Sequence, residues 1–392
     1  MIARSGQVAL ALTVVLAAGA AWQDRHHRPP ESGHPGAPVV RDRGFTLVAS
    51  GDVLPHGSAI DRARFDAGGG GHDFGPMLSG VRSVVAGADL ALCHMGTAYG
   101  AGGDSTDFES PPEIAQALAV TGYDGCSIAS RRTPDGGTDG IRRTPDGGTD
   151  GIRRTLDALD RAGLRHAGAA RSEHEARRAT VLRAGRAEVA HLAYTYGAGV
   201  APLPSGEPWA VGLVDETRIL ADARTARKAG ADVVVVSLHW GTEWEEAPDK
   251  QQVALARSLT AARTGHRPDI DLILGTHSHV PQAYEKVNGT WVVYGTGDQI
   301  AGATTGHLGL PDPRGNQSTL GRFTFTPPGR PDGRWEVTKA EFVPQFYDVD
   351  AGRVIDLNRA LAEGAEVRSV RDRIRTVVLS RGAAMDGLVM GE

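Results

Sequence analysis

Three apolar runs in this chain each end by presenting a side chain able to bind a metal. Phe45–Ala49 runs into Ser50-Gly51-Asp52, and Val233–Val236 runs into Ser237-Leu238-His239-Trp240-Gly241. Leu272–Leu274 runs into Gly275-Thr276-His277-Ser278-His279. Short runs of Val, Ile and Leu bounded by Gly read as buried β-strands. In open α/β sheets, ligand sites form in the crevice beyond the carboxyl ends of the strands. The pattern therefore constrains two things together, an α/β fold class and the place where its chemistry can occur.

The intervening sequence supports alternation of strands and helices. A strand over 45–50 leads to a helical pattern near 76–86, and a strand over 88–93 leads to a helix near 112–121, with Pro111 and Pro112 at its start. A strand over 124–129 leads to a helix near 152–163. Strands near 178–182 and 187–194 follow, then a helix 215–229, a strand 232–238, a helix 249–264 and a strand 270–274. Units of this kind build a layered α/β domain. Later, short strands at 283–287, 290–295, 319–326 and 335–344 are separated by turn residues such as Asn288-Gly289, a hairpin signal. They predict a second, antiparallel sheet packed on the first. Residues 354–379 predict two short amphipathic helices, with Val367, Val370, Ile374 and Val377 on one face. The domain plan is an export segment at 1–22, a linker at 23–43, a main domain at 44–345 and a helical tail at 346–392.

Arg4 precedes a mostly apolar run, Val8 to Trp22, followed by Gln23-Asp24-Arg25. That is a basic region followed by an apolar region of secretory type. It is short for a membrane span, which needs about 20 residues. Ala18-Gly19-Ala20 offers a cleavage site, and an uncleaved membrane anchor is the alternative. Residues 23–43, polar and rich in Pro, Gly and His, read as a linker. The expected location is extracellular or at the cell surface. A net charge of −5 gives no general affinity for nucleic acid or anionic membranes. The chain has two cysteines, Cys93 and Cys126, each at the end of an expected strand. Outside the cytoplasm they can pair, or both can remain buried thiols.

The sequence RRTPDGGTDGI occurs at 131–141 and again at 142–152. Two copies of so short a unit read as a local duplication forming a Gly-, Pro- and Asp-rich surface loop. The glycine run 68–71 does not sit between a strand and a helix, so it is no phosphate cradle, and no Ser nucleophile elbow is present.

The chemistry falls on Asp52, His239, His277 and His279 as metal ligands, because imidazole with carboxylate suits Mn²⁺, Zn²⁺ or Fe. A histidine at a strand end is commonly just a hydrogen-bonded loop residue. The spacing of His277 and His279, with His239 in an equivalent place, is what raises a shared site. His56 and His94 follow the first and second strands and are assigned the proton-transfer role, with ligation as the alternative. Glu243, Glu245 and Glu246 read as a solvated loop or helix start.

Four segments together resemble the capsule-synthesis CapA family, the poly-γ-glutamate accessory branch of the calcineurin-like metallophosphatase fold. They are SGDVLPH at 50–56, GYDGCSIAS at 122–130 leading into a T-x-D-x-G element, SLHWGTEW at 237–244, and GTHSHVPQAYEKVNGTWVVYGTGDQ at 275–299. The resemblance spans about 44–345. It implies a two-sheet sandwich flanked by helices, and a secreted or tethered protein that works with an anionic surface polymer or the membrane complex that makes it. It also implies a divalent-metal centre, to which Asp52, His239, His277 and His279 correspond. Two departures stand out. The family shows Asn-Leu-Glu after the second strand, where this chain has His94-Met95-Gly96. It shows Asn-Asn-His after the third, where this chain has Ser130-Arg131-Arg132. Arginine stays protonated and offers no lone pair to a metal. The alternative role is thus a non-catalytic, polymer-binding subunit with a degenerate site.

Overall fold

The computed structural model describes residues 44–99, 109–130, 149–197, 206–304, 306, 310–329 and 333–392. The expected export segment and linker, Arg131, Arg132 and most of the duplicated loop lie outside the described residues. The first third carries β1 (Phe45–Val53), α1 (Gly57–Asp66), α2 (Arg82–Ala86), β2 (Leu90–Met95), β3 (Ala98–Tyr99), β4 (Glu109–Ser110), α3 (Glu113–Thr121) and β5 (Gly125–Ser127). Then come α4 (Asp150–Ala162), β6 (Arg165–Ala167), α5 (Glu173–Ala176), β7 (Thr180–Ala184), β8 (Ala187–Thr195), α6 (Glu216–Lys228) and β9 (Val233–His239). These are followed by α7 (Lys250–Ala261), β10 (Arg263–Thr264), β11 (Arg267–Pro268), β12 (Leu272–Thr276), β13 (Tyr284–Val287), β14 (Thr290–Val293) and β15 (Asp298–Ile300). The last are β16 (Gln317–Thr326), β17 (Glu336–Asp348), β18 (Arg353–Asp356), α8 (Leu357–Ala362), α9 (Arg368–Val378) and β19 (Leu388–Met390).

Two mixed sheets form the frame. The larger runs β18-β17-β16-β1-β2-β5-β6, with β15 added to β1 and β19 to β17. The smaller runs β13-β14-β12-β9-β8-β7. The strands at the centre of the smaller sheet are parallel and lined with Val, Ile and Leu, because both of their faces are covered. Leu47 and Leu92 of one sheet and Val235 and Leu274 of the other share a buried cluster between the sheets. The outer face of the larger sheet packs on α1, α3 and α4 through Ile60, Ile114 and Leu156. The outer face of the smaller sheet packs on α6 and α7 through Ile219 and Leu259. Burying each such side chain stabilises the fold by about 1.5–3 kcal/mol. The result is the expected α/β class, a two-sheet sandwich flanked by helices.

The late strands do not make a sheet of their own. β13 and β14 extend the smaller sheet, whereas β16 and β17 extend the larger one. Hairpin and strand signals report local pairing and say nothing of which sheet edge accepts the pair. The tail carries α8 and α9, with Ile374 and Val378 buried. It also carries β18 and β19, which pair with β17. Helix α1 was not legible, since only Ala59, Ile60 and Ala63 are buried and its N-cap, His56, makes no side-chain cap bond. Cys93 and Cys126 stand opposite each other on β2 and β5 and form a disulfide, with Cα atoms 4.4 Å apart. No helix among the described residues is long and apolar enough to cross a membrane.

Gly51 lets β1 approach β15 closely. A Cβ there would collide with the Gly297 carbonyl. Overpacking of this kind costs about 1–3 kcal/mol, so Gly51→Ala should lower the midpoint of urea unfolding by that equivalent. An unchanged midpoint would contradict the close approach.

Candidate metal centre

The two sheets meet at the carboxyl ends of their central strands. In the larger sheet, Asp52 of β1 is in register with His94 of β2 on one side and Asp298 of β15 on the other. A register shift between Ala49 and Asp52 turns the end of β1. In the smaller sheet, His239 of β9 stands opposite Thr276 of β12, and the chain leaves β12 through His277-Ser278-His279. The backbone N–H of His277 donates to Asp52 Oδ2 at 3.2 Å, joining one sheet to the other.

All four expected ligands come together, and the site is larger than the sequence indicated. One ligand atom each from Asp52, His94 and His239 lies within 4.8 Å of the others. The same holds for Glu243, His277 and His279, and for Asp52, His279 and Asp298. Asp52 and His279 each belong to two of these groups, so the three form one continuous site. The His94 and His239 rings lie 5.0 Å apart, and the His239 and His277 rings 4.4 Å apart.

Outer partners orient the imidazoles. His94 Nδ1 lies 2.7 Å from Ser127 Oγ, His239 Nδ1 lies 3.3 Å from Thr276 Oγ1, and His279 Nδ1 lies 2.9 Å from Asp298 Oδ2. A histidine whose Nδ1–H is donated outward keeps an Nε2 lone pair for the site. Burial, with the positive fields of His277 and His191, lowers the His94 pKa to about 3. His94 is therefore neutral at physiological pH, the form that can ligate. Burial also lowers His279, but Asp298, Asp52 and Glu243 outweigh it and raise its pKa above the ordinary value.

The residues fit a divalent cation. His94 Nε2 and Asp298 Oδ1 are buried with no hydrogen-bond partner among the described residues. Burying such groups unpaired costs free energy, which a cation would offset. Imidazole with carboxylate is a donor set for Mn, Zn or Fe.

Two members of the site were missed. Glu243, read as solvated, has Oε1 3.8 Å from His277 Nε2 and 3.9 Å from His279 Nε2, with its side chain 32% exposed. The left-handed backbone of the next residue, Trp244 (φ 68°), turns this loop over the histidines, and Trp244 N–H donates to Ser278 O. Asp298 follows the apolar run Trp291–Tyr294 and Gly-Thr-Gly, so the strand-end rule applied to a fourth run would have found it. His56 lies outside the three groups. Its backbone N–H donates to Ala301 O at 2.8 Å as it opens α1.

A family model described as "Bacterial capsule synthesis protein PGA_cap" matches residues 46–303. The chain belongs to that family. It is 26% identical over 270 residues to "Capsule biosynthesis protein CapA" of Bacillus anthracis, covering 67% of this chain and 54% of that protein. It is 29% identical over 232 residues to a "Probable polyglutamine synthesis accessory protein" of Mycobacterium tuberculosis (strain ATCC 25618 / H37Rv), covering 54% of this chain and 55% of that one. The chain thus spans about half the length of these curated relatives. Among solved structures, a 5'-nucleotidase precursor from Thermus thermophilus matches at 15% identity and TM-score 0.43, covering 84% of this chain and 59% of that one. The calcineurin-like phosphoesterase YfkN from Bacillus subtilis matches at 12% identity and TM-score 0.39, covering 85% and 99%. Likenesses this distant say nothing of activity.

His277 (φ 94°) and His279 (φ 60°) are held in left-handed backbone that L-residues avoid. Such positions cost of order 1–3 kcal/mol each and gather at functional sites. In metal-free protein, His279→Gly should exceed His279→Ala in unfolding free energy by about 1 kcal/mol. Equal stabilities in chemical denaturation would remove the strain argument.

Proposed function

We propose that this chain serves synthesis or processing of a capsule or poly-γ-glutamate type polymer at the cell surface, through a divalent-metal centre. Asp52, His239, His277 and His279 hold the ion, and the overlap of three ligand groups through Asp52 and His279 is the observation that carries this reading. His94 stands in one of the three groups, beside Asp52 and His239, which supports reading it as a further ligand, the alternative to the proton-transfer role. His56, at the mouth of α1, is the remaining candidate for moving a proton. Glu243 sits at the more open side of the site and can orient an incoming polar group. A bound divalent ion would supply Lewis acidity and an acidified water for hydrolysis of an acyl or phosphoryl bond. Family membership supports the polymer role, and the relatives' names supply the capsule and polyglutamine context. The surface location rests on the sequence of residues 1–22, and the polymer itself, or the complex that makes it, is the partner.

A second reading keeps the scaffold without catalysis. It is favoured by Gly96 standing where the family carries a carboxylate and by Ser130-Arg131-Arg132 replacing Asn-Asn-His. Metal analysis of protein purified without chelator separates the two. The first reading expects about one equivalent or more of Mn, Zn or Fe, falling at least tenfold in Asp52→Asn. Trace metal in the wild type, with no γ-glutamyl hydrolase or phosphodiesterase activity, would leave the binding role standing.

A further inference from the structure

The strands β2 and β5 are tied together twice, once on each face, at consecutive residues. Cys93 is in register with Cys126, and His94 is in register with Ser127. Successive side chains on a strand point to opposite faces. The cystine accordingly lies in the cluster that packs on the helices, alongside Met95 and Ile128. His94 and Ser127 lie on the opposite face, toward the smaller sheet, where His94 stacks on His239. All four residues are almost wholly buried, at 0–3% exposure.

The Ser127 hydroxyl sits between the His94 ring and a backbone carbonyl. Its Oγ is 2.7 Å from His94 Nδ1 and 3.5 Å from the Cys93 carbonyl oxygen. If the hydroxyl donates to that carbonyl, its lone pair accepts the His94 Nδ1–H. The imidazole then has no proton on Nε2, which lies 4.0 Å from Asp52 Oδ1. The opposite tautomer would place an N–H on a buried Nε2 that has no hydrogen-bond partner among the described residues. Burying an unpaired donor is costly, so the first arrangement is favoured. Both hydrogen bonds need β5 held in register against β2. β5 is only three residues long, with β2 on one side and the equally short β6 on the other. A strand that short makes few ladder bonds to resist a slip.

We propose that Ser127 and the Cys93–Cys126 disulfide form a brace that positions His94, fixing its Nε2 lone pair toward Asp52 and His239. Ser127 sets the tautomer and the disulfide sets the register. Neither belongs to the three groups that could hold the ion, so both are positioning residues. The inference rests on the metal-centre reading for its affinity readout, whereas its tautomer readout is independent of any metal. A disulfide persists in an oxidising compartment, so the brace operates at full strength only in the exported protein.

The test uses the full chain and Zn²⁺ alone, with affinity measured by chelator competition. Loss of an outer-shell partner weakens metal binding by about 10–100-fold, which is the range expected for Ser127→Ala. Ser127→Thr, which keeps the hydroxyl, should recover most of the affinity. In metal-free protein, ¹⁵N imidazole shifts should report His94 protonated on Nδ1 in the wild type and as a tautomer mixture in Ser127→Ala. Reduction with a phosphine should weaken Zn²⁺ binding by about tenfold with far-UV circular dichroism unchanged. Where reduction unfolds the chain, Cys93→Val with Cys126→Ala is measured in its place, with the same expectation. Unchanged affinity and unchanged His94 tautomer in Ser127→Ala would overturn the role of Ser127. Unchanged affinity in the folded, disulfide-free protein would overturn the role of the cystine. A wild type that binds no Zn²⁺ would instead count against the metal centre, and the tautomer measurement would still decide the brace.

Discussion

The carboxylate of Asp52 is the joint on which the rest of the structure depends. It is 1% exposed, at the end of the central strand of the larger sheet. It accepts the His277 N–H from the smaller sheet, and it faces His94 from the neighbouring strand. A buried carboxylate is costly unless it is paired, hydrogen-bonded or bound to a metal. That cost is met only when the ends of both sheets converge. The sandwich core, the glycine contacts at the end of β1 and the left-handed histidines all serve that convergence. Gly275 shows the same demand from the other side, since a Cβ there would press on both the Tyr294 carbonyl and the Trp240 ring nitrogen.

Much of this was legible from residues 45–52, 233–239 and 272–279. Apolar strand patterns ending in Asp or His state where the strands stop and what they present. The four motif segments suggested the family by resemblance, and the family found is the one expected. Other parts were hidden for physical reasons. Glu243 depends on the left-handed turn at Trp244, and nothing in a single sequence marks a non-glycine residue for that conformation. The division of late strands between two sheets is a matter of edge availability, which local pairing signals do not encode. The disulfide required a Cα separation that only the paired strands supply.

The chain also departs from the motif that the resemblance implies where the second expected strand ends. His94 brings an imidazole to Asp52 and His239 while the neighbouring carboxylate position is glycine. Acidic groups enter instead from β15 and from the loop after β9. The donor set is rich in nitrogen and carboxylate oxygen. A changed composition changes which metal is held and how firmly, more than it changes the architecture around it.

The most direct measurement is X-ray absorption at the metal edge of zinc-loaded protein. The account predicts a shell of nitrogen and oxygen with the multiple-scattering signature of at least two imidazoles, diminished in His239→Ala. A fully aquated ion with no imidazole contribution would contradict it.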